Sequence, residues 1–83
     1  MKREFLVQYE MEDVKVNKIM SENEVVDLEN MSDVYPIENM RVYDINEIGV
    51  VKPLKYKGWQ PMCLIEFEDE EGNVIIRGYG EDH

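Results

Sequence analysis

An alternation of apolar and polar residues around an acidic turn, near the end of the chain, most restricts what it can fold into. In EFEDEEGNVIIRGYG, residues 66–80, five carboxylates occupy six positions, and Val-Ile-Ile follows after Gly-Asn. Successive side chains of a β-strand point to opposite faces, so alternation is typical of a strand with one buried face. Asp69-Glu70-Glu71-Gly72 suits a turn with a left-handed glycine. The segment predicts a β-hairpin whose acids lie in the turn and on the solvent face.

A three-residue loop of this kind also predicts the hairpin register. Phe67 is expected opposite Ile75 on the buried face, and Glu66 opposite Ile76 on the other face. The rest of the composition favours strands too, because valine and isoleucine supply 17 residues while alanine and threonine are absent.

The first twenty residues predict a second hairpin. Apolar residues alternate with polar ones on both sides of Glu12 and Asp13. With a two-residue turn at this point, Tyr9 faces Val16 and Glu10 faces a lysine, Lys15. Glu12-Asp13 is a poor sequence for such a turn, which prefers Asn-Gly or Asp-Gly.

One short helix is expected after this hairpin. Ser21 and Glu24 fit a capping box, in which each side chain accepts a hydrogen bond from the other residue's backbone N–H. Val25, Leu28 and Met31 then recur at intervals of three, which gives a helix of about three turns or fewer. It should end near Met31, because turn-forming residues and a Tyr-Pro pair follow.

The remaining segments complete an α+β fold. MRVYDI and VVKPLKY predict two strands, and Pro53 places the second at an edge or a bulge. The chain is therefore expected to form one small domain over residues 1–83, with an antiparallel sheet of five or six strands. The expected order is β-β-α-β-β-β-β, with the helix on one face of the sheet.

Charge and cysteine content limit the compartment and the partners. The formal net charge is −10, and repulsion from phosphate argues against direct nucleic-acid or membrane binding. A protein partner with a basic surface is favoured instead. Cys63 is the only cysteine, so a disulfide within the chain is excluded, and no run of residues resembles a signal peptide or membrane span. We expect a cytoplasmic protein, and its small core makes a homodimer plausible.

Few residues could support catalysis or metal binding. The nucleophile and base candidates are Ser21, Ser32, Cys63 and the terminal His83, a set that does not predict an enzyme. A calcium loop with Gly72 at its sixth position would need carboxylates where Phe67 and Gly78 stand. The sequence therefore predicts no enzymatic activity, no cofactor and no metal site.

The interpretation that remains is a noncatalytic binding module that acts on another protein in an accessory or inhibitory role. Carboxylates on the same face of a strand, such as those of Glu66 and Glu68, lie about 6.8 Å apart, which is near the spacing of phosphates. The inhibitory role could therefore take the form of nucleic-acid mimicry. Tryptophan and tyrosine are common interface anchors. The candidate protein-binding residues are Tyr56, Trp59, Glu66, Glu68, Asp69, Glu70 and Glu71.

Two alternatives stay open. The segment from Lys52 to Gln60 interleaves three lysines with Tyr56 and Trp59, a combination that binds single-stranded nucleic acid through its backbone and bases. The chain could also be a noncatalytic subunit of a larger enzyme.

The last third of the chain carries a resemblance. YKGWQPMCLIEFEDEEGNVIIRGYGEDH, residues 56–83, is similar to short acidic uncharacterised proteins of low-GC bacteria and their prophages. The resemblance implies a bacterial accessory or mobile-element role and brings no catalytic or binding residue with it.

Overall fold

The computed structural model describes residues 3–32, 34–58 and 63–80 of the chain. They form one α-helix and one six-stranded antiparallel sheet, which confirms the predicted α+β class and the order of the elements. The elements are β1 Glu4–Met11, β2 Val14–Ser21, α1 Glu22–Met31, β3 Ile37–Asp44, β4 Lys52–Tyr56, β5 Leu64–Glu68 and β6 Val74–Tyr79.

The first hairpin has the predicted register. Tyr9 pairs with Val16 and Glu10 pairs with Lys15 across β1 and β2. Glu12 and Asp13 form the two-residue turn with φ angles of 51° and 67°. These angles are typical of a type I′ turn, whose twist matches that of the strands and which needs positive φ at both central residues. Aspartate tolerates positive φ better than most residues. The alternation of the strands therefore sets the pairing although the turn sequence is unfavourable.

Helix α1 begins with the predicted capping box. The Glu24 backbone N–H donates to Ser21 Oγ at 3.3 Å, and the Ser21 N–H donates to Glu24 Oε1 at 3.1 Å. The helix ends at Met31, as expected. Its buried face differs from the prediction, because Val26 is buried and Met31 is 40% exposed. The apolar stripe that packs on the sheet therefore stops before the end of the helix.

The core lies between the helix and one face of the sheet, which we call the helix face. Phe5, Val7, Val42 and Ile76 are almost fully buried there, and Val25 of the helix packs against this cluster. Burial of a side chain of this size stabilises a fold by about 1.5–3 kcal/mol. The opposite face, which we call the open face, carries the residues that alternate with these.

Strand β1 is placed between β2 and β3, and the full order is β2-β1-β3-β4-β5-β6. Strand β4 is internal in this order, so of the two predicted settings for Pro53, an edge or a bulge, the edge does not apply to the strand as a whole. Its first part, residues 52–54, pairs with β3, whereas residues 55–56 pair with β5. Pro53 thus lies in a part with one neighbouring strand among the described residues, where a missing backbone N–H is tolerated.

The last hairpin has a different register from the one predicted. Phe67 pairs with Ile76 rather than Ile75, and Glu66 pairs with Arg77. A bulge between the Phe67 and Glu68 pairs adds one residue to β6, and this residue shifts every later pair by one position. Ile76 is consequently the fully buried isoleucine, whereas Ile75 is half-buried.

Arg3, which directly precedes β1, contacts the last strand of the sheet. Its Nη1 donates to the Ile75 carbonyl at 2.9 Å, and its guanidinium carbon lies 5.5 Å from the centre of the Phe5 ring. The start of β1 therefore approaches the start of β6, although four strand pairings separate the two strands. In the described ranges, no helix is long and apolar enough to cross a membrane.

Candidate protein-binding surface

The acidic turn between β5 and β6 is ordered by its own side chain. Asp69 Oδ1 accepts the backbone N–H groups of Glu71 and Asn73, each at 2.9 Å, and Oδ2 accepts Asn73 Nδ2 at 3.1 Å. These bonds, led by the Asn73 N–H, hold the pKa of Asp69 below its usual value. Gly72 has the expected positive φ, 87°, and its N–H donates to the Asp69 carbonyl. Asp69 therefore shapes the turn.

Glu70 and Glu71 are the residues that the turn presents to solvent. Both are exposed, and we call this pair the acidic tip. Their backbone is held by the Asp69 hydrogen bonds, so the two charges are presented from a defined turn. A partner that binds there would not have to order this segment first, so less conformational entropy is lost on binding.

Glu66 and Glu68 lie on the open face of β5, each beside a cation. Lys57 Nζ is 3.6 Å from Glu68 Oε2, and the Glu68 side chain is only 18% exposed. Lys55 pairs with Glu68 across β4 and β5, and Arg77 pairs with Glu66 across β5 and β6. Opposite charges on neighbouring strands offset these carboxylates. The acidic character of the hairpin is thus concentrated at its tip.

A cleft of about 430 Å³ separates the acidic turn from the start of β4. It exists because β4 pairs with β5 only from residue 55 onward, so the two backbones diverge before that point. Lys52 in its wall donates to Glu47, with Nζ 3.0 Å from Oε2, and this bond raises the pKa of Lys52. The lining residues are Val51, Lys52, Pro53, Asp69, Glu70, Glu71 and Asn73.

The β4 side of this cleft is not predicted by the sequence. Asp69, Glu70 and Glu71 are among the predicted binding residues, whereas Val51 and Asn73 are not. Pro53 is the available signal, since proline in a strand marks a place where pairing is incomplete.

Tyr56 does not join the acidic residues. It pairs with Phe67, so it lies on the helix face, opposite to Glu66 and Glu68. Its ring packs edge-on against Phe67 with 5.5 Å between ring centres, and it also covers Gly58, where a Cβ would overlap the Tyr56 hydroxyl. Tyr56 remains 41% exposed. Trp59, the other predicted anchor, lies outside the described residues.

The candidate nucleophiles have structural contacts. Ser21 caps the helix, and Ser32 Oγ donates to the Glu29 carbonyl at 2.6 Å. Cys63 is half-buried, and its carbonyl accepts the Gly80 N–H at 2.8 Å. Within residues 3–32, 34–58 and 63–80, no three His, Cys, Asp or Glu side chains are placed to hold a metal ion.

Comparisons of the chain with protein-family models, curated proteins and solved structures give no match. No activity, ligand or partner is therefore transferred to this chain from a relative. Its function has to be inferred from the geometry of its own residues.

Proposed function

We propose that the protein is a noncatalytic binding module that acts on another protein, and that its acidic tip contacts a basic surface of that partner. The observation that carries the proposal is the division of roles in the turn. Asp69 holds the backbone through its hydrogen bonds, whereas Glu70 and Glu71 are left exposed beside an open cleft. An ordered pair of charges with an adjacent concave surface favours electrostatic steering and docking of a cationic side chain.

Nucleic-acid mimicry along β5 has weaker support. Mimicry needs a row of carboxylates without nearby counter-charges, and Glu66 and Glu68 each have a cation across the strand. The accessory role in a bacterium or mobile element that the sequence resemblance implies is compatible with contact through the tip. We therefore place the partner's basic surface at Glu70 and Glu71.

Binding of single-stranded nucleic acid is also less well supported. Two of the three lysines in the segment form ion pairs, Lys52 with Glu47 and Lys57 with Glu68. The Tyr56 ring is packed against Phe67, which limits its use as a stacking surface. A short oligonucleotide that binds at low salt and is released as salt rises would favour this function over the proposed one.

Affinity capture with charge-reversed variants tests the proposal. Glu70→Lys combined with Glu71→Lys should abolish capture of the partner that the wild-type protein retains. Asp27→Lys combined with Glu38→Lys changes the net charge equally at exposed sites away from the turn, and this control should retain capture. Equal loss in both variants would show that only overall charge matters, and retention by the tip variant would contradict the proposal.

A further inference from the structure

The two edges of the sheet differ in how they are protected. The β6 edge is short and has a bulge, and Arg3 occupies the Ile75 carbonyl. The β2 edge has eight residues and an uninterrupted register with β1. No described residue pairs with the outer side of β2. Folded proteins usually blunt so long an edge with a bulge, a proline, lysines or a covering segment. Val14–Ser21 has no proline and no bulge in its register with β1, and Lys15 and Lys18 are the only protection of this kind within the strand.

The register of the first hairpin identifies the free backbone groups. In a hairpin with a two-residue turn, the pair that closes the turn is hydrogen-bonded, and bonded pairs then alternate along the strands. The closing pair is Met11 and Val14. The N–H and C=O groups of Lys15, Asn17 and Ile19 therefore point away from β1, toward the outside of the sheet.

The charge of this edge is opposite to that of the whole molecule. Strand β2 has two lysines, Lys15 and Lys18, and no carboxylate, whereas the chain has a net charge of −10. Neither lysine forms an ion pair in the described part of the chain, and Arg41 on the open face nearby forms none either. Lys15 lies opposite Glu10 across β1 and β2, so its charge is offset in part, whereas Lys18 lies opposite Val7. An edge of this kind attracts an acidic strand.

A depression of about 430 Å³ on the open face lies next to this edge. Its lining includes the bulge at which β3 has one extra residue relative to β1, where Asn39 has a φ of 54°. One carboxylate lies in it, that of Glu10, which already accepts a hydrogen bond from Asn39 Nδ2 at 3.3 Å. The polar lining residues are Gln8, Glu10, Lys15, Asn17, Asn39 and Arg41.

We propose that the free edge of β2 binds an extended acidic segment of another protein as a seventh strand. Backbone hydrogen bonds to Lys15, Asn17 and Ile19 supply affinity, and carboxylates opposite the two lysines supply specificity. Lys15 and Lys18 are three residues apart, so their side chains lie on opposite faces of the sheet. The bound strand accordingly has two acids separated by two residues, with apolar residues opposite Val16 and Ile19. This surface is separate from the acidic tip.

An NMR titration with a designed peptide tests the proposal. In an antiparallel strand, Val-Glu-Asn-Val-Glu-Val places its valines opposite Ile19, Val16 and Val14 and its glutamates opposite the lysines. We expect saturable shifts confined to the amides of β2 and the adjacent depression. The matched peptide with lysines in place of glutamates should bind roughly tenfold more weakly, because two attractive cross-strand pairs become repulsive.

Two variants complete the test. Lys15→Glu combined with Lys18→Glu should reverse the preference between the two peptides. Asn17→Pro removes an outward N–H without removing a bond to β1, so it should abolish binding while the fold, checked by circular dichroism, is retained. Equal binding of both peptides, or shifts elsewhere on the protein, would overturn the proposal. So would a wild-type dimer that Asn17→Pro dissociates, because a second copy would then occupy the edge. Each result is independent of Glu70 and Glu71.

Discussion

Asp69 and Asn73 are joined by three hydrogen bonds across the acidic turn. The Asp69 N–H donates to the Asn73 carbonyl at 3.0 Å, and the Asp69 carboxylate accepts both the backbone N–H and the side-chain Nδ2 of Asn73. The densest negative charge of the chain is thus built around one carboxylate that has a structural role. The adjacent glutamates are left exposed for contact with a partner.

This relationship predicts the effect of Asp69→Ala. The variant should have a lower thermal midpoint than the wild type at neutral pH, because the N–H groups of Glu71 and Asn73 lose their acceptor. Since hydrogen bonding places the folded-state pKa below the ordinary value of 3.8, the stability that Asp69 contributes is present above pH 3.8 and is lost as pH falls through the lower value. Thermal melts at a series of pH values should show the two proteins converging in acid. Glu70→Ala is the control and should change little, and a difference that persists in strong acid would contradict the assignment.

The shifted register predicts unequal effects for two neighbouring isoleucines. Ile76→Val should destabilise the fold by about 0.5–1.5 kcal/mol, because it removes a methyl group from a filled core. Ile75→Val should cost less, since that side chain is half-buried beside the bulge. Urea denaturation of both variants measures the difference. A larger loss of stability for Ile75→Val than for Ile76→Val would contradict this register and favour the one in which Phe67 faces Ile75.

The contact between β6 and the helix predicts a steric effect at Gly78. A Cβ at this position would lie 2.8 Å from both methyl carbons of Val26. Gly78→Ala should therefore destabilise the protein by about 1–3 kcal/mol, the usual cost of overpacking. Val26→Ala makes room for the added methyl group. The double variant should therefore lose less stability than the sum of the losses measured for Gly78→Ala and Val26→Ala alone. Simple additivity in a double-mutant cycle would show that the helix does not pack on Gly78.

The capping box predicts a graded response at the start of the helix. Ser21→Ala should cost about 1 kcal/mol, because the Glu24 N–H loses its acceptor. Glu24→Gln retains a side-chain oxygen that can accept the Ser21 N–H, so it should cost less. Denaturation of the two variants measures both values. Equal and negligible costs would mean that the cap does not hold the helix end.

The sequence predicts the elements better than their arrangement. The period of two in the first hairpin and the capping residues of the helix are local signals, and the structure confirms both. The bulge in β6 has no such signal, because Ile75 and Ile76 are equally apolar and either could face the core. The internal position of β4 depends on which strands pair in the folded sheet, and this tertiary property has no signal within the segment itself. Pro53 indicates incomplete pairing but not the side on which it occurs.

The candidate surface is predictable in part for the same reason. Glu70 and Glu71 follow from the turn chemistry, which is local. The placement of Tyr56 away from Glu66 and Glu68 depends on pairing between β4 and β5, and that pairing is a tertiary property. Val51 is part of the cleft because two strands diverge there, which no pattern in its own segment indicates.

The divided pairing of β4 has a consequence for how the protein opens. Among the described strands, only β4 pairs with both the group β2-β1-β3 and the pair β5-β6, and it gives each group only a short stretch of pairing. Among the amides that are hydrogen-bonded between strands, exchange should accordingly be fastest along β4, and the other strands should divide into two protected blocks. Limited proteolysis should therefore cleave first at β4, which opens transiently while both blocks of strands remain folded.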